Sequence, residues 1–332
     1  MDRHLTRVTL TLGTLALLAA VATTQPLKQN VEILKQGPMR ADKVKDGLYV
    51  IRGPFLPCMT GCRPGQSGDG LIHESGDVAV RVTPDGLIVV DDKFASQAAD
   101  VFATVKMVSP LPVKYVLNSH HHGDHASGNA YARDMLGVNI IAHRNIRENF
   151  LRIKQAGEPN ITFANEASVY LGGVEVQLRW FGRGHTNGDT VIYFPDLKTI
   201  HGGDLVIDAM PVIDYPGGGS AIEFISTIDR MLTLDFDTYI PGHGRVMTKD
   251  DVRAYRTRFA EMNSRMKGLI RKGVTKDQMK TLDQARTQLR LAELGWDNSV
   301  STTTWFSSFP AYYDEIGAQL SSLGVQAELL VA

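Results

Sequence analysis

At 332 residues, with 43% hydrophobic and 21% charged side chains, the chain can bury a substantial core as one large domain or two modest ones. Its 35 Lys and Arg balance 36 Asp and Glu, a formal net charge of −1 with no basic run. The electrostatic footprint of a nucleic-acid binder is therefore missing, and no nucleic-acid partner is expected.

The N-terminus places Arg3, His4 and Arg7 before an apolar run at residues 8–18 and the small-residue pattern Ala20-Val21-Ala22. That order predicts a signal peptide over residues 1–22 and a periplasmic or secreted protein. The apolar run is shorter than the ~20 residues a spanning helix needs, and no later segment is long enough, so no stable membrane insertion is expected after cleavage. Residues 23–43 are mostly polar and read as a loosely attached lead-in, with Leu48-Tyr49-Val50-Ile51-Arg52 starting the sheet. Residues 53–76 are rich in glycine and proline and lack a period, which predicts a long loop, either a flap over a site or a surface insertion. This loop holds the two cysteines of the chain, Cys58 and Cys62. In an exported protein they are expected to form a disulfide, a metal or redox pair being the sharper alternative. Residues 78–82 and 87–90, joined by Thr83-Pro84-Asp85-Gly86, read as a β-hairpin.

The run Ser119-His120-His121-His122-Gly123-Asp124-His125 follows a strand-like segment and precedes a turn that opens into a helix. On extended backbone, residues two apart project to the same side, so His120 and His122 can clasp one ion while His121 points away. Asp124 and His125 lie past the turn and can face a second ion about 3.5–4 Å from the first. Alone, the run could also be a solvated histidine-rich loop or one structural zinc site. Three later motifs weigh against that: His185 in Gly184-His185-Thr186-Asn187-Gly188-Asp189, Asp204 closing His201-Gly202-Gly203-Asp204, and His243 in Pro241-Gly242-His243-Gly244. His143 and His201 are expected to be structural or to hydrogen-bond near the site, His121 to lie behind the ligands or on the surface, and His73 has no readable role.

Pro216-Gly217-Gly218-Gly219 reads as a turn, or as a place where backbone approaches a ligand. Ser220 with Glu223 forms a capping-box pattern before Ile222, Ile225, Ile228, Met231 and Leu232, a core-packing stripe. Thr248 with Asp251 predicts a long helix through about Arg271, and Thr275 with Gln278 predicts another. A last helix is expected from about Thr302 to Leu323, kinked or divided by Pro310. Residues 248–332 thus read as a helical C-terminal extension in which Trp305, Phe306, Phe309, Tyr312 and Tyr313 are first of all packing residues.

The four motifs in this order resemble the metallo-β-lactamase superfamily over residues 44–246. The resemblance implies an α/β fold, a four-layer αβ/βα sandwich over residues 44–247 with the helical extension beyond it. It implies His120, His122 and His185 on a first metal, Asp124, His125 and His243 on a second, and Asp204 between them. Asp91, closing the strand at residues 86–90, matches an acidic residue that supports the site from behind, a strand-end turn residue being the alternative. Neither cysteine falls at a ligand position. The C-terminal helices resemble those of glyoxalase II, which help bind its substrate, in position and helical content only. Imidazole and carboxylate ligands suit zinc, two ions per chain, and also admit iron or manganese. The function implied is a di-zinc metallo-hydrolase with a small-molecule substrate, using a metal-bridging hydroxide, oriented by Asp124, on an ester, thioester or lactone carbonyl. In the β-lactamases of the superfamily the position of Asp204 is commonly cysteine or serine, and aspartate resembles the glyoxalase and lactonase branches. The alternatives are a β-lactam hydrolase, an iron-dependent redox or sulfur-oxidising enzyme on the same fold, and a non-catalytic metal-binding protein.

Overall fold

Short apolar strands separated by tight turns build the first sheet from the N-terminal side. The computed structural model describes residues 33–35, 39–53, 55–57, 71–73, 75–296 and 305–322, with backbone alone for the three-residue segments. Strands β1 (Ile33–Lys35), β2 (Arg40–Lys45) and β3 (Leu48–Arg52) run antiparallel, and β4 (Phe55–Pro57) pairs with β5 (Leu71–His73) as a separate two-stranded ribbon. The expected hairpin is β6 (Val78–Thr83) with β7 (Gly86–Val90). After α1 (Ala98–Val108), β8 (Val113–Leu117) lies parallel to β7. Past α2 (Gly123–Ala126) and α3 (Asn129–Leu136), β9 (Asn139–His143) continues in parallel, and β10 (Ile161–Phe163), reached through α4 (Arg144–Ile153), closes an eight-stranded sheet.

The second sheet has six strands in chain order: β11 (Glu166–Leu171), β12 (Val174–Trp180), β13 (Thr190–Phe194), β14 (Thr199–His201), β15 (Thr238–Ile240) and β16 (Met247–Thr248). Only β14 and β15 are parallel, and α5 (Ala221–Met231) lies in the crossover between them. Beyond β16 come α6 (Lys249–Arg271), α7 (Leu282–Leu289) and α8 (Phe309–Ser322).

Strand alternation sorts the core into layers. On β7, Leu87 and Val89 pack with Val101, Phe102 and Val105 of α1, whereas Ile88 and Val90 pack with Leu178, Ile192 and Phe194 of the second sheet. On β13, Val191 and Tyr193 point the other way, to Phe224, Ile228, Phe259, Met262, Trp305 and Tyr312. β7 is buried along its whole length, which explains its continuous apolar run. The result is the expected αβ/βα order of layers. The C-terminal helices belong to the outermost layer, because α6 and α8 share one hydrophobic cluster with α5 and the second sheet.

Several boundaries differ from the sequence reading. The sheet starts before residue 44, inside the segment read as a lead-in: β2 is a full strand and Ala41 is buried. Its charges concealed it, since Asp42 pairs with Arg40 and Arg52, and Lys45 reaches Asp237. Residues 53–76 are not all loop, because β4 and β5 lie within them. Cys58, Cys62 and the predicted signal peptide at residues 1–22 lie outside the described residues. Among the described residues, no helix is long and apolar enough to cross a membrane.

The Thr248 capping box forms as expected. The Ser220 box forms by half: Ser220 Oγ accepts from Glu223 N, but the Glu223 carboxylate turns to Arg183 instead. Thr275 and Gln278 cap only a 3₁₀ turn at Lys276–Met279, since Thr281 and Gln284 open a second box for α7 two residues later. At the last helix, a turn at Ser308 separates residues 305–307 from α8, and Pro310 sits in the first turn of α8, where no backbone N–H is needed.

Candidate metal centre

The end of β8 delivers the histidine run to the edge where both sheets end. Leu117 is the last strand residue, and the backbone stays extended at His122, whose φ and ψ are −64° and 149°. α2 then makes one turn that sets Asp124 and His125 beyond it. Two buried ties fix this loop: Asn118 and Asn129 exchange side-chain hydrogen bonds, and Thr190 N donates to Ser119 O at 2.7 Å. His185 comes from the loop before β13, Asp204 from the turn after β14, and His243 from the turn after β15.

All seven candidate ligands meet here. His120, His122 and His185 form one group with ligand atoms within 4.8 Å of one another, and Asp124, His125 and His243 form another. Asp204 lies between the groups. Its Oδ1 is 3.3 Å from His125 Nε2, and its Oδ2 is 3.5 Å from His243 Nε2 and 3.7 Å from His185 Nε2.

The ring nitrogens on the far side of four of the histidines are spoken for, which fixes what their near side offers. His125 Nδ1 lies 2.9 Å from Asp91 Oδ2, His185 Nδ1 is 2.8 Å from Val212 O, and His122 Nε2 is 2.9 Å from Asp214 Oδ2. His120 Nδ1 is 3.1 Å from Ser119 Oγ. The nitrogens left facing the cluster are His120 Nε2, His122 Nδ1, His185 Nε2 and His125 Nε2, each able to offer a lone pair when its ring is neutral. His120 Nε2 and Asp204 Oδ1 are buried without a hydrogen-bond partner. Unpaired buried polar atoms are costly, and a cation between them satisfies both.

Residues 78–243, half of the chain, match the metallo-beta-lactamase superfamily. The chain belongs to that superfamily. It is 30% identical to the 2,4-dinitroanisole O-demethylase subunit alpha of Nocardioides sp. strain JS1661 over 164 residues, 48% of this chain and 49% of that one. It is 28% identical to the metallo-beta-lactamase type 2 of Elizabethkingia meningoseptica over 170 residues, 51% of this chain and 62% of that one. The chain thus matches about half and under two thirds of the lengths of these curated relatives. Among solved structures, a metallo-beta-lactamase from Pontibacter korlensis is similar at TM-score 0.56 and 18% identity, covering 66% of this chain and 99% of that one. The DIM-1 metallo-beta-lactamase is similar at TM-score 0.54 and 17% identity, covering 67% and 97%. At these identities the likeness is one of fold.

Electrostatics divides this superfamily site into two halves. Burial pulls the His120 ring well below the ordinary histidine range and takes His185 to about 4, so both are neutral at pH 7, as metal ligands must be. In the other half burial also pulls His125 and His243 down, but the carboxylates of Asp124 and Asp204 override it and hold both rings up. Burial pushes those two carboxyls up in turn, and the His125 and His243 charges hold them low. Protons on His125 and His243 thus balance the two carboxylates, and a divalent cation balances the same charge while releasing those protons.

Four residues of the site were not read from the sequence. Asp214 receives His122 Nε2, lies 3.5 Å from His121 Nε2, and accepts from Gly217 N at 3.0 Å. Its only sequence signal is its place just before the Pro-Gly-Gly-Gly run. Ser119 donates to Asp91 through both its backbone N and its Oγ. Gly76 is packed under His125, where a Cβ would come 2.2 Å from the ring. Lys93 is fully buried at φ +63° and donates to Gly76 O, and burial lowers its ammonium to about 8 against the pull of Asp77 and Asp124.

Asp91 was read as either a support of the site or a turn residue, and it is both: it adopts φ +62° and binds His125 and Ser119. His121 turns away from the ligands as expected, yet it is buried beside Asp214 and Asn149 and is no surface residue. His143 is structural, bonded to Ala164 O and stacked 5.0 Å from Trp180. His201 bonds to Asp77 O. Of His73, in β5, only the backbone is described.

Proposed function

We propose that this chain is an exported di-zinc hydrolase that cleaves an ester, thioester or lactone of a small molecule. The observation that carries the reading is the position of Asp204, a carboxylate shared by the two ligand groups. A shared carboxylate adds negative charge and holds two cations close while moderating their acidity, which suits unstrained or mildly activated carbonyls. Two zinc ions held there supply polarisation of the scissile carbonyl and activation of water near neutral pH.

The chain's own residues account for the rest of the site. His120, His122 and His185 would hold one ion, and His125, His243 and Asp124 the other, with Asp91, Asp214 and Val212 O holding the rings in place. Asp124 is the partly exposed acid of its group, its Oδ2 3.1 Å from His243 Nε2. It can accept a hydrogen bond from the attacking water and orient it. Superfamily membership and the clustered His and Asp ligands support metal-dependent chemistry of this kind.

Zinc-loaded protein should be screened with esters, thioesters, lactones and β-lactams. β-Lactam opening far faster than every ester, thioester and lactone would overturn the preference drawn from Asp204. A second reading rests on the O-demethylase relative, whose name places its action on 2,4-dinitroanisole. Cleavage of an activated aryl methyl ether by this chain would show as release of 2,4-dinitrophenol when 2,4-dinitroanisole is added to the screen.

A further inference from the structure

The outer wall of His122 opens into a cavity of about 510 Å³. That size lies within the range of small-molecule sites and is far larger than a water or an acetyl group needs. One wall is the loop from Val212 to Pro216 and the other is the start of α8, including Pro310 and Ala311. Val212, Ile213, Pro216, Pro310 and Ala311 make most of this lining apolar.

His122 and Asp214 stand at the metal-facing end, while Tyr215, Ser307 and Ser308 add neutral hydroxyls to the walls. Asp214 is committed there to His122, His121 and Gly217 N. Among the described residues that line the cavity there is no lysine or arginine, so nothing in this lining pairs with a carboxylate or phosphate. The two walls are held at a fixed separation. Glu315, one helical turn beyond Ala311 on α8, accepts from Tyr215 OH and Ala221 N at 2.9 Å each, and also from Ser220 Oγ. The C-terminal helix is therefore fastened to the loop that carries Asp214 and, through Val212 O, steadies His185.

We propose that this cavity takes the neutral, apolar chain of an acyl substrate, and that Ala311 of the C-terminal helix sets the length of chain accepted. This rests on the hydrolase reading above and narrows it to esters, thioesters or lactones of medium-chain acids. Ala311 is partly exposed to the cavity, so a larger side chain there fills space without displacing the core.

The test uses the full zinc-loaded chain and its Ala311→Trp and Pro216→Phe variants, which narrow the cavity from opposite walls. Folding is checked by circular dichroism and metal content by elemental analysis. With 4-nitrophenyl acetate and hexanoate, the natural chain should prefer hexanoate in kcat/KM. Each variant should lose at least tenfold on hexanoate and stay within twofold on acetate. Calorimetric titration with hexanoate and acetate reads the cavity without turnover: hexanoate should bind the natural chain at least tenfold more tightly than acetate, and the variants should erase that difference. If no ester is cleaved but the hexanoate advantage and its loss are seen, the hydrolase reading fails while the cavity assignment stands. Equal binding of the two acids, or variants that leave the preference within twofold, overturns the assignment.

Discussion

Replacing Asp91 with asparagine separates the two roles of that residue. Asparagine tolerates the left-handed φ of +62° about as well as aspartate, so the backbone turn is preserved. What changes is the hydrogen bonding. Asp91 Oδ1 accepts from Ser119 N at 2.7 Å, and Oδ2 accepts from Ser119 Oγ at 2.6 Å and lies 2.9 Å from His125 Nδ1. An asparagine presents one oxygen and one NH₂, so in either orientation a donor meets a donor in a site that is fully buried. An orphaned buried donor costs about 1–3 kcal/mol, which urea unfolding of the metal-free protein should register. Loss of the carboxylate behind a ligating histidine typically weakens metal affinity 10- to 100-fold, or about 1.4–2.8 kcal/mol. The loss should fall on the ion held by His125, read by competition with a chromophoric chelator, while the His120, His122 and His185 group keeps its ion. Affinity at both sites within twofold of the natural chain would falsify the support role and leave Asp91 as a turn residue only.

Other perturbations reach the site from different directions. Gly76→Ala drives a Cβ into the His125 ring, so elemental analysis should find metal missing from that half, and full occupancy would refute the packing argument. Asp204→Ser should lower both total metal content and turnover on the preferred substrate, and unchanged zinc content would remove the case for a shared carboxylate. Phe259→Ala removes a buried ring in edge contact with Phe224 and should cost about 3–5 kcal/mol in a single urea transition, because α6 and α5 share one core. A separate early transition for the C-terminal helices would contradict that. Burial lowers the Lys93 ammonium to about 8, so the folded chain holds fewer protons than the unfolded chain above that pH. Stability of the metal-free protein from this group should be least below pH 8 and should rise by about 2 kcal/mol between pH 8 and 9.5. The rise should vanish in Lys93→Met, and a natural chain with no greater slope than that variant would show the ammonium is not destabilised.

The candidate cluster was legible because turns rich in histidine and aspartate break a sequence's usual pattern: five histidines and aspartates crowd into residues 120–125, and His185, Asp204 and His243 each sit among glycines. Asp214 was not, since its partner His122 is 92 residues away and nothing local marks it. The hairpin at β6 and β7 was read from alternation and its turn, whereas β2 was hidden by charges that its neighbours neutralise. Capping boxes located helix starts well but not helix type, as the 3₁₀ turn after Thr275 demonstrates. The reach of α8 toward the site was beyond sequence reasoning, because Glu315 meets Tyr215 across 100 residues.

His120 and His122 stand at the end of a strand of the eight-stranded sheet, while His185 and His243 stand beside strands of the six-stranded one. The unfolded chain keeps only the local histidine run, so an ion gripped from both sides favours the folded state and acts as a clamp between the sheets. By mass action each ion adds at most ~2.7 kcal/mol when free metal exceeds its dissociation constant a hundredfold, less whatever the histidine run binds when unfolded. The melting temperature should therefore climb with zinc activity in the medium. In a compartment where zinc is scarce, the lifetime of the protein, and not only its rate of turnover, would follow the supply of metal.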